Sequence, residues 1–136
     1  MTNEEKKEAL CRYMKIKRQI ERYNLEIQEI RSAKMYPGMN AGDGMPHAQF
    51  NNKDLSDYIV QLDRLYTKII KLCRDRARIL VKITDAIDKL PDENQKDIIY
   101  LRYIQDMKWE EICTYIGYSW KQTHRIHSNA LKNIQI

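Results

Sequence analysis

The stretch that decides the fold is WEEICTYIGYSWKQTHRIHSNALKNIQI, residues 109–136. It contains two helical apolar patterns, separated by Gly117 and Ser119. The first pattern consists of Ile112, Cys113 and Ile116, and the second consists of Thr123, Ile126, Ala130 and Leu131. Glycine permits the positive φ that ends a helix, and serine is a preferred N-cap residue. The stretch therefore predicts two helices joined by a tight turn, which is a helix-turn-helix.

The second of these helices has a predicted outward face that can enter a major groove. Helical spacing places five candidate DNA-binding residues on this face: Trp120, Lys121, His124, Arg125 and Ser128. No Asp or Glu occurs from Ser119 to Ile136, whereas Lys121, Arg125 and Lys132 do. We predict that Lys121 and Arg125 contact base edges or phosphates. The backbone amides that begin the two helices, at Trp109 and Trp120, are further phosphate anchors.

The C-terminal third of the chain resembles region 4 of the sigma-70 family. The matching elements are Leu90-Pro91, Leu101-Arg102-Tyr103, Glu110-Glu111-Ile112, Ile116-Gly117-Tyr118-Ser119 and Ala130-Leu131. Joined to a long helical N-terminal part, these elements are similar to phage and prophage transcriptional regulators of the RinA and ArpU type. The chain departs from the usual Ala, Val and Ser of the pattern at Cys113, Thr123 and Lys108.

The resemblance implies a sequence-specific DNA-binding transcriptional regulator that activates phage late or packaging-lysis genes in the cytoplasm of a bacterial host cell. Double-stranded DNA is the expected partner, with RNA polymerase as a second one. A homodimer is expected because one small reading head gives little affinity. An alternative stays open, in which the sigma-like fold or the coiled coil is a protein-interaction module that binds RNA polymerase or a regulatory partner. The six basic and six acidic residues of segment 91–136 favour that alternative.

The N-terminal part of the chain predicts a long amphipathic helix over about residues 3–34. Thr2 and Glu5 have the spacing of a capping box. The apolar residues follow a heptad pattern. Tyr13, Ile20 and Ile27 occupy one heptad position, and Ile16, Tyr23 and Ile30 occupy the other.

A second long helix is predicted over about residues 54–90. One heptad series is Ile59, Tyr66, Cys73, Leu80 and Ile87, and the other is Leu62, Ile69, Ile83 and Leu90, interrupted by Arg76. The two long helices should pair as an antiparallel coiled-coil hairpin, within one chain or between two. The basic residues between Lys68 and Lys82 are interpreted as a solvated helix face, with contact to the DNA backbone as the alternative.

Residues 35–53 are predicted to form the loop of this hairpin, because they hold all but one of the glycines and two of the three prolines. A flexible linker is favoured, with a docking segment as the alternative. Leu90-Pro91 is the predicted hinge, since proline disfavours a helical conformation in the residue before it. The predicted fold is therefore all-α. A long antiparallel helical hairpin, residues 1–90, precedes a sigma region 4-like helix-turn-helix domain, residues 91–136.

Five residues of the C-terminal third have competing interpretations. We predict groove contact for His124 and packing for His127, and we interpret Trp109 as a wedge between helices. Trp120 is equally consistent with packing on the turn and with contact to a thymine methyl group or a sugar. A structural role is favoured for Arg102 of the preceding helix.

Composition and motifs disfavour several other classes of protein. The chain of 136 residues is 43% hydrophobic and 32% charged, with a net charge of +5, as expected of a folded helical protein. No apolar run approaches the length of a membrane helix, and the first residues do not resemble a signal peptide. Cys11, Cys73 and Cys113 are widely separated and are predicted to be reduced thiols. We expect no enzymatic activity, cofactor, metal or small-molecule substrate, because no phosphate loop, activated nucleophile or ligand cluster is evident.

Overall fold

The computed structural model describes residues 1–39 and 52–136, and every element in these two ranges is helical. The elements are α1 (Asn3–Met39), α2 (Asn52–Asp88), α3 (Glu93–Ile99), a π-helical turn (Tyr100–Ile104), α4 (Trp109–Ile116) and α5 (Trp120–Asn133). The predicted all-α class is confirmed. Of the predicted loop 35–53, residues 40–51 lie outside the described residues, and the flanking positions belong to α1 and α2.

Short polar motifs define where the helices begin and end. Thr2 and Glu5 form the predicted capping box, with the Glu5 amide donating to Thr2 Oγ1 at 3.2 Å and the Thr2 amide donating to Glu5 Oε2 at 2.7 Å. At the predicted hinge, Leu90-Pro91, the helix is interrupted, because α2 ends at Asp88 and α3 begins at Glu93. Asp92 is the N-cap of α3 and accepts a hydrogen bond from the Asn94 amide.

The contacts of the chain define two compact units. The first unit comprises Met1–Lys17 and Asp75–Ile136, and the second comprises Arg18–Arg74. The predicted boundary at residue 90 separates the chain differently, because contacts group one end of each long helix with the C-terminal helices. Such contacts join residues that are far apart in sequence, whereas the predicted boundary rests on the effect of Pro91 on the residue before it.

The main core of the first unit combines residues from both ends of the chain. Its buried side chains are Leu10, Tyr13, Met14, Ile83, Ala86, Ile87, Leu90, Ile99, Tyr103, Ile104, Ala130, Leu131 and Ile134. Burial of an aliphatic or aromatic side chain stabilises a fold by about 1.5–3 kcal/mol. This core therefore holds α5 against α1, α2 and α3.

In the second unit α1 and α2 pack with a different register from the one predicted. Ile20 and Ile27 of α1 are buried as expected, but α2 buries Leu65 and leaves Ile59 and Tyr66 exposed. Leu65 lies three residues after the half-buried Leu62 and thus on the same helix face. Since Leu65 and Tyr66 are both large and apolar, periodicity alone permits either register.

Two polar contacts show how α1 and α2 meet in the second unit. The Lys68 ammonium lies 5.4 Å from the centre of the Tyr23 ring, and the Arg31 guanidinium donates to the Tyr66 hydroxyl. From Tyr23 to Arg31 the residue number rises along α1, while the residue number of the contacted side chain on α2 falls from Lys68 to Tyr66. This is the order of an antiparallel pair.

A membrane-spanning helix requires a long apolar segment, and none of the helices in the described ranges contains one.

Candidate nucleic-acid interface

The turn between α4 and α5 has the geometry that the sequence predicts. Gly117 ends α4 in the left-handed region, with φ 75° and ψ 23°, and its amide donates to the Cys113 carbonyl at 2.9 Å. Ser119 is the N-cap of α5, and its Oγ accepts from the Gln122 amide at 3.2 Å. The Thr123 amide donates to the Ser119 carbonyl as the first turn of α5 closes. The three-residue link Gly117-Tyr118-Ser119 therefore fixes the direction in which α5 leaves α4.

The inner face of α5 is buried. A small apolar cluster joins Ile126 of α5 to Ile112 of α4 and Ile98 of α3. Thr123 is fully buried on the same face, as predicted, but its hydroxyl has no hydrogen-bond partner among the described residues. Packing along this face determines which side of α5 is presented to solvent.

The outer face of α5 presents four of the five predicted DNA-binding residues. Lys121, Arg125 and Ser128 are exposed, and Trp120 is 54% exposed at the start of the helix. None of the residues from Ser119 to Ile136 is acidic, so no carboxylate within α5 competes with a phosphate. This exposed face, defined by Trp120, Lys121, Arg125 and Ser128, is called the reading face below.

His124, the fifth predicted residue, is half-buried between two tryptophans. Its ring lies 4.3 Å from the Trp109 ring and 4.5 Å from the Trp120 ring, measured between centroids. Its Nε2 atom is buried and has no hydrogen-bond partner within the described part of the chain. The structure places His124 in packing, and the predicted groove contact by this residue stays a prediction.

His127 packs inside the first unit, as predicted. Its Nε2 atom lies 2.8 Å from the Tyr103 hydroxyl, within hydrogen-bonding distance, and the Trp109 ring meets it edge-on at 4.7 Å. Burial lowers the pKa of His127 to about 4, and the charges of Lys7 and other cations act in the same direction. Burial also raises the pKa of the Tyr103 hydroxyl. Both side chains are therefore neutral at pH 7.

Trp109 is the wedge that the sequence predicts, and Arg102 supports it. The Arg102 guanidinium lies 4.9 Å from the centre of the Trp109 ring and donates to the Met107 carbonyl at 3.0 Å. These contacts support the structural role favoured for Arg102. Because Trp109 also contacts both histidines of α5, the position of the reading face depends on this cation and ring.

Comparison of the chain with protein-family models, with curated proteins and with solved structures found no match. Among the described residues no group of three or more His, Cys, Asp and Glu side chains could hold a metal ion, and Cys11, Cys73 and Cys113 are free.

Four long-range hydrogen bonds that support the interface were not predicted from the sequence. Lys6 of α1 reaches the end of α5, where its Nζ donates to the Leu131 carbonyl at 2.8 Å and to the Lys132 carbonyl at 3.2 Å. A lysine at this place satisfies terminal carbonyls and complements the helix dipole.

The other two hydrogen bonds join α3 to the two ends of α5. Asn133 Nδ2 donates to Gln95 Oε1 at 3.1 Å, and Asn94 Nδ2 donates to the Tyr118 hydroxyl at 3.2 Å. The reading face is therefore held at its beginning by the turn and at its end by α1 and α3.

The connection into α4 contains an irregularity that the sequence did not reveal. After α3 the helix widens into the π-helical turn, where the Gln105 amide donates to the Tyr100 carbonyl. Asp106 then adopts a φ of 54°, and the Met107 amide donates to the Leu101 carbonyl. Aspartate tolerates the left-handed region better than most residues. This bend redirects the chain so that Trp109 begins α4 against α5.

Proposed function

We propose that this protein binds double-stranded DNA through the reading face and regulates transcription. The observation that supports the proposal is the exposure of Lys121 and Arg125, side by side, on an acid-free helix whose two ends are fixed. An arginine can donate two hydrogen bonds to a guanine edge, and both cations can bind phosphates. Ser128 supplies a further hydroxyl, and Trp120 supplies an apolar surface for a thymine methyl group or a sugar.

The resemblance to RinA and ArpU-type regulators supports the finer parts of the proposal. They are sequence-specific recognition, activation of phage late or packaging-lysis genes in a bacterial cytoplasm, and action as a homodimer alongside RNA polymerase. A reading face with two basic side chains makes few phosphate contacts, and phosphate contacts supply a large share of the affinity of a protein for DNA. Two copies of the face on one duplex would compensate for its small size.

Selection of bound sequences from a random double-stranded DNA library tests the proposal. We expect the wild-type chain to enrich a defined motif, and a Lys121→Ala, Arg125→Ala variant to lose it. Removing one base-reading arginine lowers specific binding by about 1–3 kcal/mol. A Lys15→Ala, Lys89→Ala variant is the matched control, because it removes two exposed positive charges outside α5. Enrichment of the same motif by the Lys121, Arg125 variant would refute recognition through this face.

One observation favours a second candidate function, a protein-interaction module. Tyr115 on α4 is 67% exposed, and Glu111 lies one helical turn before it on the same side. An exposed aromatic ring beside an acid fits a basic protein partner such as a surface of RNA polymerase. In that case Tyr115→Ala should abolish capture of purified polymerase, while the DNA selection gives no motif with either chain.

A further inference from the structure

The second unit leaves a row of large apolar side chains exposed on α2. Leu55 is 47% exposed, Ile59 48%, Tyr66 36% and Ile70 54%. Their spacings of four, seven and four residues place them on one side of the helix. Isolated apolar residues are ordinary on protein surfaces. Four of them in helical register form a continuous stripe, which we call the α2 row.

The α2 row lies beside the face with which α2 packs in this unit, and is distinct from it. The packed face contains the buried Leu65 and the half-buried Leu62, Ile69 and Leu72. A helix with two adjacent apolar stripes has the pattern of a bundle helix that contacts two neighbours. Among the described residues of the unit, α1 exposes one large apolar side chain, Leu25. The uncovered surface therefore belongs to α2.

Charges at the edge of the α2 row indicate what covers it. Asp63 and Arg74 are exposed along the same edge, and within the described part of the chain neither forms an ion pair. Two α2 helices paired antiparallel around a two-fold axis near residue 68 place Tyr66 against Ile70 of the partner subunit. Asp63 then lies next to Arg74 of the partner subunit, and the symmetry makes each contact twice. Parallel pairing would instead oppose like charges.

We propose that the Tyr66 and Ile70 end of the α2 row is a homodimer interface, occupied by the same end of the row of a second copy in antiparallel orientation. A second copy is favoured because acid and base on one row complement each other under a two-fold axis. The inference deepens the proposed function by supplying a surface for its homodimer, and the dimer forms without DNA.

Sedimentation equilibrium of the full chain, without DNA and over micromolar concentrations, tests the apolar part of the inference. We expect a dimer for the wild type and a dissociation constant at least about tenfold higher for Ile70→Glu. Leu25→Glu is the matched control, because it places the same charge at a similarly exposed apolar position on α1. It should dimerise like the wild type. Far-UV circular dichroism of each variant verifies that the helices are retained.

A charge exchange tests the antiparallel pairing and does not depend on truncating any side chain. Asp63→Arg and Arg74→Asp should each weaken the dimer, because each opposes like charges twice. The double variant should restore it.

Three outcomes would overturn the inference: a monomeric wild type, equal effects of Ile70→Glu and Leu25→Glu, or a double variant no tighter than the single ones. Loss of the motif in the Lys121, Arg125 variant, with its dimer intact, would leave both proposals standing. A monomer that still enriches a motif would refute the dimer surface alone.

Discussion

Replacing Thr123 by valine should stabilise the protein. Thr123 is fully buried on the inner face of α5. Its hydroxyl lacks a hydrogen-bond partner among the described residues. A buried hydroxyl without a partner destabilises a fold by about 1–3 kcal/mol. Valine keeps the shape, has a similar helix propensity and removes the polar atom. We therefore expect the free energy of unfolding to rise by about 1–2 kcal/mol.

The size of this change makes it measurable by thermal unfolding. For a chain of 136 residues the entropy of unfolding is about 0.3 kcal/mol/K, so the midpoint should rise by about 3–7 °C. Thr84→Val is the matched control. The Thr84 hydroxyl donates to the Leu80 carbonyl at 2.8 Å, so its removal should leave the midpoint unchanged or lower it.

A Thr123→Val variant with an unchanged or lower midpoint would refute this reasoning, because the hydroxyl would then have to be satisfied in solution. DNA selection supplies a second readout. Thr123 faces away from the reading face, so the enriched motif should be the same for variant and wild type.

Three further predictions concern the supports of α5. Lys6→Met should lower the free energy of unfolding by about 1 kcal/mol in urea titrations, by uncapping α5, whereas Lys7→Met should not. Gly117→Ala should lower it by about 1 kcal/mol because of its φ of 75°, since no atom crowds the added Cβ. The depressed pKa of His127 predicts that the free energy of unfolding keeps its full value above about pH 6.5 and falls by about 2 kcal/mol as pH decreases toward 4. The His127→Gln variant should not show this decrease.

Each of these predictions has an outcome that would contradict it. Equal unfolding midpoints for the Lys6 and Lys7 variants would show that the Lys6 cap is not formed in solution. A stable Gly117→Ala variant would mean that the turn adopts another backbone conformation. If the free energy of unfolding fell equally with pH in the wild type and in His127→Gln, the pKa of His127 would be the same in the folded and the unfolded chain.

Local signals in the sequence were sufficient for the turn and for the helix ends. Gly117 and Ser119 act through their own backbone conformation and side chain, and Thr2 and Glu5 are three residues apart. Such features depend on neighbours in sequence, so a pattern can predict them. The same holds for the inward position of Ile126, which follows from the helical period.

Features that depend on distant residues were not predicted. The choice between Leu65 and Tyr66 for the packed face of α2 is decided by α1, because adjacent apolar residues satisfy either register. The position of His124 depends on Trp109, whose own direction follows from the bend at Asp106. The helical period of α5 predicts an exposed histidine, but it carries no information about the ring of Trp109, which belongs to another helix and packs against His124.

The union of α1 with α5 has a consequence for synthesis of the chain on the ribosome. The core of the first unit joins Leu10 and Tyr13 to Ile134, so these two residues must wait for a residue that is translated more than a hundred positions later. Until α5 has been translated, Leu10 and Tyr13 of α1 lack the apolar side chains of α5 against which they pack. Contacts that close so long a loop slow folding and prolong exposure to aggregation. A chaperone that binds short amphipathic helices would therefore bind this segment of α1 on nascent chains and release it once α5 has packed.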